Sequence, residues 1–113
     1  MLIRKYSEVE AKAAEGGSEK TTVRWLISKK EGAPNFAMRL FEIGPGGHTP
    51  LHRHPWEHEA FVLEGKGVVA SDQGDVPISG GFAAFVPEDE LHQFRNTGAE
   101  PLRILCMIPA GHH

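Results

Sequence analysis

Thirteen glycines and eight prolines interrupt this chain of 113 residues at short intervals, and such punctuation leaves little room for long helices. Between the interruptions stand short runs of β-branched, aromatic and aliphatic residues. Strands are predicted over residues 23–28, 36–43, 58–63, 67–71, 82–86, 93–96 and 102–108. In the second of these, Ala37, Arg39, Phe41 and Ile43 alternate with Met38, Leu40 and Glu42, so the two sets face opposite sides of a sheet. Turns are expected at Gly44-Pro45-Gly46-Gly47, Glu64-Gly65-Lys66-Gly67, Asp72-Gln73-Gly74-Asp75, Ser79-Gly80-Gly81, Pro87-Glu88-Asp89 and Thr97-Gly98-Ala99. One short helix is expected over residues 7–14, where Ser7-Glu8-Val9-Glu10 reads as a cap followed by helix formers. A chain of this length supports one core. The expectation is an all-β sandwich or barrel in a single domain over residues 1–113.

Charge and cysteine content narrow the function. Twelve Lys and Arg are scattered among fifteen Asp and Glu, for a net charge of −3, which argues against a nucleic-acid groove or a polybasic membrane anchor. No apolar run has the length of a membrane span. Cys106 is the single cysteine and cannot close a disulfide within the chain, and the first six residues lack the apolar core of a signal peptide. A cytoplasmic protein is the simplest expectation. His112 and His113 are either native or the remnant of a purification tag, and they are left out of the site.

Histidine is the unusual component. His52, His54 and His58 stand in the run His52-Arg53-His54-Pro55-Trp56-Glu57-His58, and His92 follows after a stretch rich in Val, Phe and Gly. Neutral imidazole is the commonest metal-binding side chain, so the four together predict a metal site. In extended backbone His52 and His54 project to one side, and His58 has the same parity across the interruption at Pro55. Glu57 and Glu59 have the opposite parity. His48, in the Gly-rich segment, is expected to be a loop residue.

The spacing of these residues resembles the two motifs of the cupin superfamily. The first spans about 46–65: Gly46, five residues, His52, one residue, His54, three residues, His58, six residues, Gly65. The second spans about 81–96: Gly81, five residues, Pro87, one residue, Asp89, two residues, His92, three residues, Asn96. The family's pattern has glutamate where this chain has His58, and commonly glycine where it has Asp89. A gap after His54 would instead put Glu59 in the glutamate position, but the spacing to Gly65 favours His58. The resemblance implies a jelly-roll β-barrel, or double-stranded β-helix, with a ligand-binding interior. His52, His54, His58 and His92 are then the metal ligands, and Asn96 is structural.

The chain also resembles the small single-domain manganese cupins, through Ala33-Pro34-Asn35-Phe36, His54-Pro55-Trp56-Glu57-His58-Glu59, Arg39-Leu40-Phe41, Phe94-Arg95-Asn96 and Cys106-Met107-Ile108-Pro109. That resemblance implies manganese, with iron next and then zinc, nickel or copper. Physical preference alone would rank manganese lower, because imidazole suits the later transition metals. It also implies a homodimer, which the apolar start of the N-terminal segment could support at a sheet edge.

Around the metal, Phe41, Trp56, Phe94 and Ile108 are packing residues that could also wall a pocket. Cys106 shares parity with Ile104 and Ile108, as a small buried residue or one facing the cavity. Arg39 shares parity with Phe41, and is either a solvated rim residue or an inward cation able to hold a carboxylate. Three functions remain open on the sequence. The protein is an oxygen-dependent enzyme, such as a dioxygenase acting on a small organic substrate; a metal-dependent binder or sensor without turnover; or a barrel stabilised by structural zinc. No general base stands out.

Overall fold

The computed structural model describes residues 1–111, so His112 and His113 lie outside the described residues. Nine strands are present there: β1 (Lys12–Ala13), β2 (Glu19–Ile27), β3 (Phe36–His48), β4 (His58–Glu64), β5 (Lys66–Ser71), β6 (Gly74–Ser79), β7 (Ala83–Val86), β8 (His92–Asn96) and β9 (Leu102–Pro109). Their pairings are antiparallel and run β6-β5-β8-β3-β9-β4-β7, with β2 on β3 and β1 on β2. The result is an all-β, jelly-roll architecture.

β3 makes the corner. From Phe36↔Pro109 to Ile43↔Leu102 it lies against β9, whereas His48 at its far end pairs with Arg95 of β8. One strand thus joins the β9 side to the β8 side within a single nine-stranded sheet that curls on itself. The run Gly44-Pro45-Gly46-Gly47 was expected to turn the chain but lies inside β3. A Cβ on Gly47 would stand 2.6 Å from the Glu19 carbonyl oxygen, and Gly46 has φ of +78°. Glycine here lets the strand bend against β2 without ending it.

The expected helix over residues 7–14 does not form. A single 3-10 turn at Tyr6–Glu8 has no side-chain cap, and β1 pairs instead with β2 at Lys12↔Val23 and Ala13↔Thr22. So short a helix is marginal without a packed face, and ladder bonds to β2 win. β6 was read only as turns and an unassigned segment. It closes a hairpin with β5 through Asp72-Gln73, with Ser71↔Gly74 as the last pair. Pro77 obscured it, and its place at the end of the strand order is one that tolerates a proline.

Alternation places the core. Ala37 and Ile43 of β3, Ala60 and Val62 of β4, and Leu102, Ile104, Cys106 and Ile108 of β9 are buried. Ile43, Val62, Ile78, Phe94, Leu102 and Ile104 belong to one packed cluster. The Leu102/Ile43 end of the β3–β9 ladder is filled by this cluster. Towards Cys106 and Ile108 the interior opens into a cavity.

Candidate metal centre

The four histidines reach the interior from three places. His52 and His54 ride the connection between β3 and β4, His58 opens β4, and His92 opens β8. His52 and His92 exchange backbone N–H to O bonds of 3.1 and 3.0 Å, which locks the connection onto the start of β8. The imidazole nitrogens of His52, His54 and His92 include one from each ring that lie within 4.8 Å of one another. His58 stands beside them, its ring centroid 4.7 Å from His92 and 5.2 Å from His54. Its neighbour Glu59 is exposed on the other face of β4. His54, His58 and His92 are buried, and His52 is exposed at the cavity mouth.

Backbone carbonyls set the ring orientations. His54 Nδ1 lies 2.8 Å from the Trp56 oxygen, and His92 Nδ1 lies 2.8 Å from the Glu90 oxygen. A carbonyl can only accept, so each Nδ1 carries the proton and each Nε2 is left with a lone pair. His54 also stacks on Trp56, with ring centroids 4.4 Å apart and planes 7° from parallel.

The ring nitrogens fit a metal. His58 Nε2 and His92 Nε2 are buried and have no hydrogen-bond partner, a costly arrangement unless something outside the chain accepts the lone pair. Burial, then the neighbouring His92, then Arg39 push His58 down to about 3. Burial followed by His92 and His54 lowers His52 to about 4, an effect that solvent weakens at this exposed position. Burial also lowers His92, against the pull of the Glu90 carbonyl. Near neutral pH these rings are uncharged, the form that ligates metal.

Arg39, Phe41, Trp56, Phe94, Cys106 and Ile108 all border a cavity of about 450 Å³ that reaches His52, His54 and His58. Small-molecule sites run from roughly 300 to 1,000 Å³. Cys106 Sγ is 3.5 Å from His58 Nδ1, and burial pushes its thiol up despite the nearby Arg39. His48 is not a loop residue: it ends β3, with Nδ1 2.9 Å from the Thr49 oxygen, and is not among the cavity's lining residues. Asn96 is buried outside the histidine group.

Sequence reasoning missed Trp25, which also lines the cavity. Its shared parity with Val23 was a signal that it faces inward, but only the register Trp25↔Arg39 makes it a neighbour of the arginine. Ala13, Glu15 and Ser18 border the cavity too. They were hidden by the expected helix or by the lack of any pattern after it.

A family model described as a cupin domain matches residues 39–108. The polyketide cyclase RemF of Streptomyces resistomycificus is similar in structure, with a TM-score of 0.90 and 38% identity over 96% of this chain and 79% of that one. The 1-methylthio-D-xylulose 5-phosphate methylsulfurylase of Rhodospirillum rubrum is 36% identical over 73 residues, which is 65% of this chain and 47% of that protein. Auxin-binding protein 1 of Arabidopsis thaliana is 36% identical over 78 residues, 61% of this chain and 39% of that protein. The chain therefore spans less than half the length of these two relatives. No described helix is long and apolar enough to cross a membrane.

Proposed function

The chain belongs to the cupin domain family, and from that premise we propose that His52, His54, His58 and His92 together hold one divalent metal ion beside a cavity for a small organic substrate. The observation that carries this reading is the pair of buried, unpartnered Nε2 atoms on His58 and His92. Manganese is the ion implied by the sequence resemblance, whereas an all-imidazole donor set suits iron, zinc, nickel and copper. When bound, the ion supplies Lewis-acid polarisation to a substrate oxygen. Trp25, Phe41, Trp56 and Phe94 wall the cavity, exclude water and favour a flat substrate.

Ring closure on an oxygen-rich substrate is the favoured reaction, supported by the likeness to a polyketide cyclase along nearly the whole chain. The second reading is a dioxygenase, favoured by the suitability of this donor set for iron. Binding without turnover is the third, favoured by the likeness to an auxin-binding protein. A homodimer belongs to the same proposal, since Met1, Leu2 and Ile3 are exposed apolar residues that a second copy would cover.

Elemental analysis of untagged protein is expected to give one ion per chain. His58→Ala is expected to weaken its binding at least about 100-fold, since even outer-shell partners of a metal contribute 10–100-fold. Unchanged metal affinity in His58→Ala, with loss of binding in Glu59→Gln, would overturn the four-histidine assignment. Metal-loaded protein is then incubated with linear polyketone analogues in an oxygen electrode. A cyclised product without oxygen uptake supports ring closure, uptake matched to product supports the dioxygenase, and saturable binding with neither supports the binder.

A further inference from the structure

We propose that Arg39, clasped between Trp25 and Phe41, binds the anionic group of the ligand and selects for a planar, conjugated oxyanion such as an aromatic carboxylate. The inference deepens the reading above, because it names the ligand class for the same cavity.

Arginine elsewhere in this chain is neutralised. Arg4 pairs with Glu31, Arg24 with Glu42, Arg53 with Asp72, Arg95 with Asp75, and Arg103 with Glu42 and Glu64. Among the described residues no carboxylate forms an ion pair with Arg39, and its Nε is buried without a hydrogen-bond partner. The register explains where it points. Trp25↔Arg39, Arg39↔Cys106 and Cys106↔Ala60 form one row across β2, β3, β9 and β4, and Trp25, Arg39 and Cys106 line the cavity.

A guanidinium does not shed its proton, so the charge persists inside a cavity whose other charged lining residues, Lys12 and Glu15, are both exposed. An anion supplied by the ligand offsets that charge. The guanidinium carbon is 5.3 Å from the Trp25 ring centroid and 4.8 Å from that of Phe41. These contacts hold the planar fork in place for a carboxylate, which it can meet with two parallel N–H···O bonds. The aromatic walls select a flat ligand body.

The test uses chelator-treated protein, in which no metal competes for the anion, and follows titrations of cinnamate and neutral cinnamyl alcohol by two-dimensional NMR. Wild type is expected to bind cinnamate at least about tenfold more tightly than the alcohol, the factor that corresponds to 1.4 kcal/mol, with shifts centred on Arg39 and the Trp25 indole. Arg39→Gln is expected to bring the two affinities together. Arg39→Lys, which keeps the charge without the fork, is expected to fall between and tests the idea even if Arg39→Gln does not fold. A cinnamate preference that survives both substitutions, or shifts remote from the cavity, would overturn it. A separate zinc titration of the same protein separates the two proposals. One bound ion with no Arg39-dependent preference in the metal-free protein defeats the anion site alone, and an Arg39-dependent preference in the metal-free protein with no zinc bound on titration defeats the metal reading alone.

Discussion

The two ends of β8 carry buried polar residues with opposite hydrogen-bond accounts. At one end Asn96 Nδ2 donates to the Ile43 and Glu100 carbonyls, and Oδ1 accepts from the Gly98 N–H, each at 2.8 Å. At the other end His92 donates one bond through Nδ1 and leaves Nε2 buried and unpartnered. Asn96 ties the β8–β9 connection to β3 and is complete within the chain. His92 is completed only by something from outside. Equal burial therefore goes with a closed set of hydrogen bonds at one end and an open lone pair at the other, where the proposed metal would bind.

The strongest way to break this contrast is to remove Asn96. Three bonds at about 1 kcal/mol each make Asn96→Ala destabilising by about 3 kcal/mol in urea unfolding, with metal stoichiometry unchanged. Loss of metal binding in that variant would erase the distinction between the two ends.

Acid probes the other end. In metal-free protein His58 is held at about 3, against 6.5 for the unperturbed group. Between those values the unfolded chain takes up a proton that the folded chain refuses, so stability is full above 6.5 and falls as pH drops towards 3. The slope is about 1.4 kcal/mol per pH unit, which makes the loss from His58 about 2 kcal/mol at pH 5. Urea unfolding at pH 7.5 and pH 5 should show that loss in wild type and in Asn96→Ala alike, and a smaller one in His58→Ala. An equal loss in His58→Ala would remove the histidine as its source.

The smallest effect concerns the segment that holds the histidine end together. Asp89 donates its N–H to the His54 oxygen at 2.7 Å and has φ of +64°, the left-handed region that glycine enters freely and aspartate tolerates. This is the position at which the family's motif commonly carries glycine. Asp89→Gly is expected to raise stability by no more than about 1 kcal/mol, and Asp89→Val to lower it, as read from thermal midpoints. A loss of stability in Asp89→Gly would show that the aspartate side chain contributes more than the strain costs.

Much of the site could be read before any coordinates. The six residues between His58 and Gly65 pointed to the histidine and not to Glu59, and alternation along β3 put Arg39 on the side of Phe41. Those inferences work because a strand's side chains alternate strictly, whatever lies next to it. Trp25 shows the limit. Its direction was readable, but its contact with Arg39 depends on how β2 registers on β3, with bulges between Glu19/Thr21 and Trp25/Ile27. The segment over residues 7–14 failed for a related reason, since its local helix signal lost to ladder bonds with a strand further along the chain.

By itself the sequence determined the rhythm of short strands, the face each side chain takes and which four histidines are the candidate ligands, because these depend on neighbouring residues and their chemistry. Tertiary structure alone decided that β3 pairs with β9 along most of its length and with β8 at its far end, and that, among the described residues, two histidine Nε2 atoms are buried without partners and one arginine of six is left without a carboxylate. Those outcomes depend on which distant strands pair and in what register, and desolvation arises only where their faces close over a group.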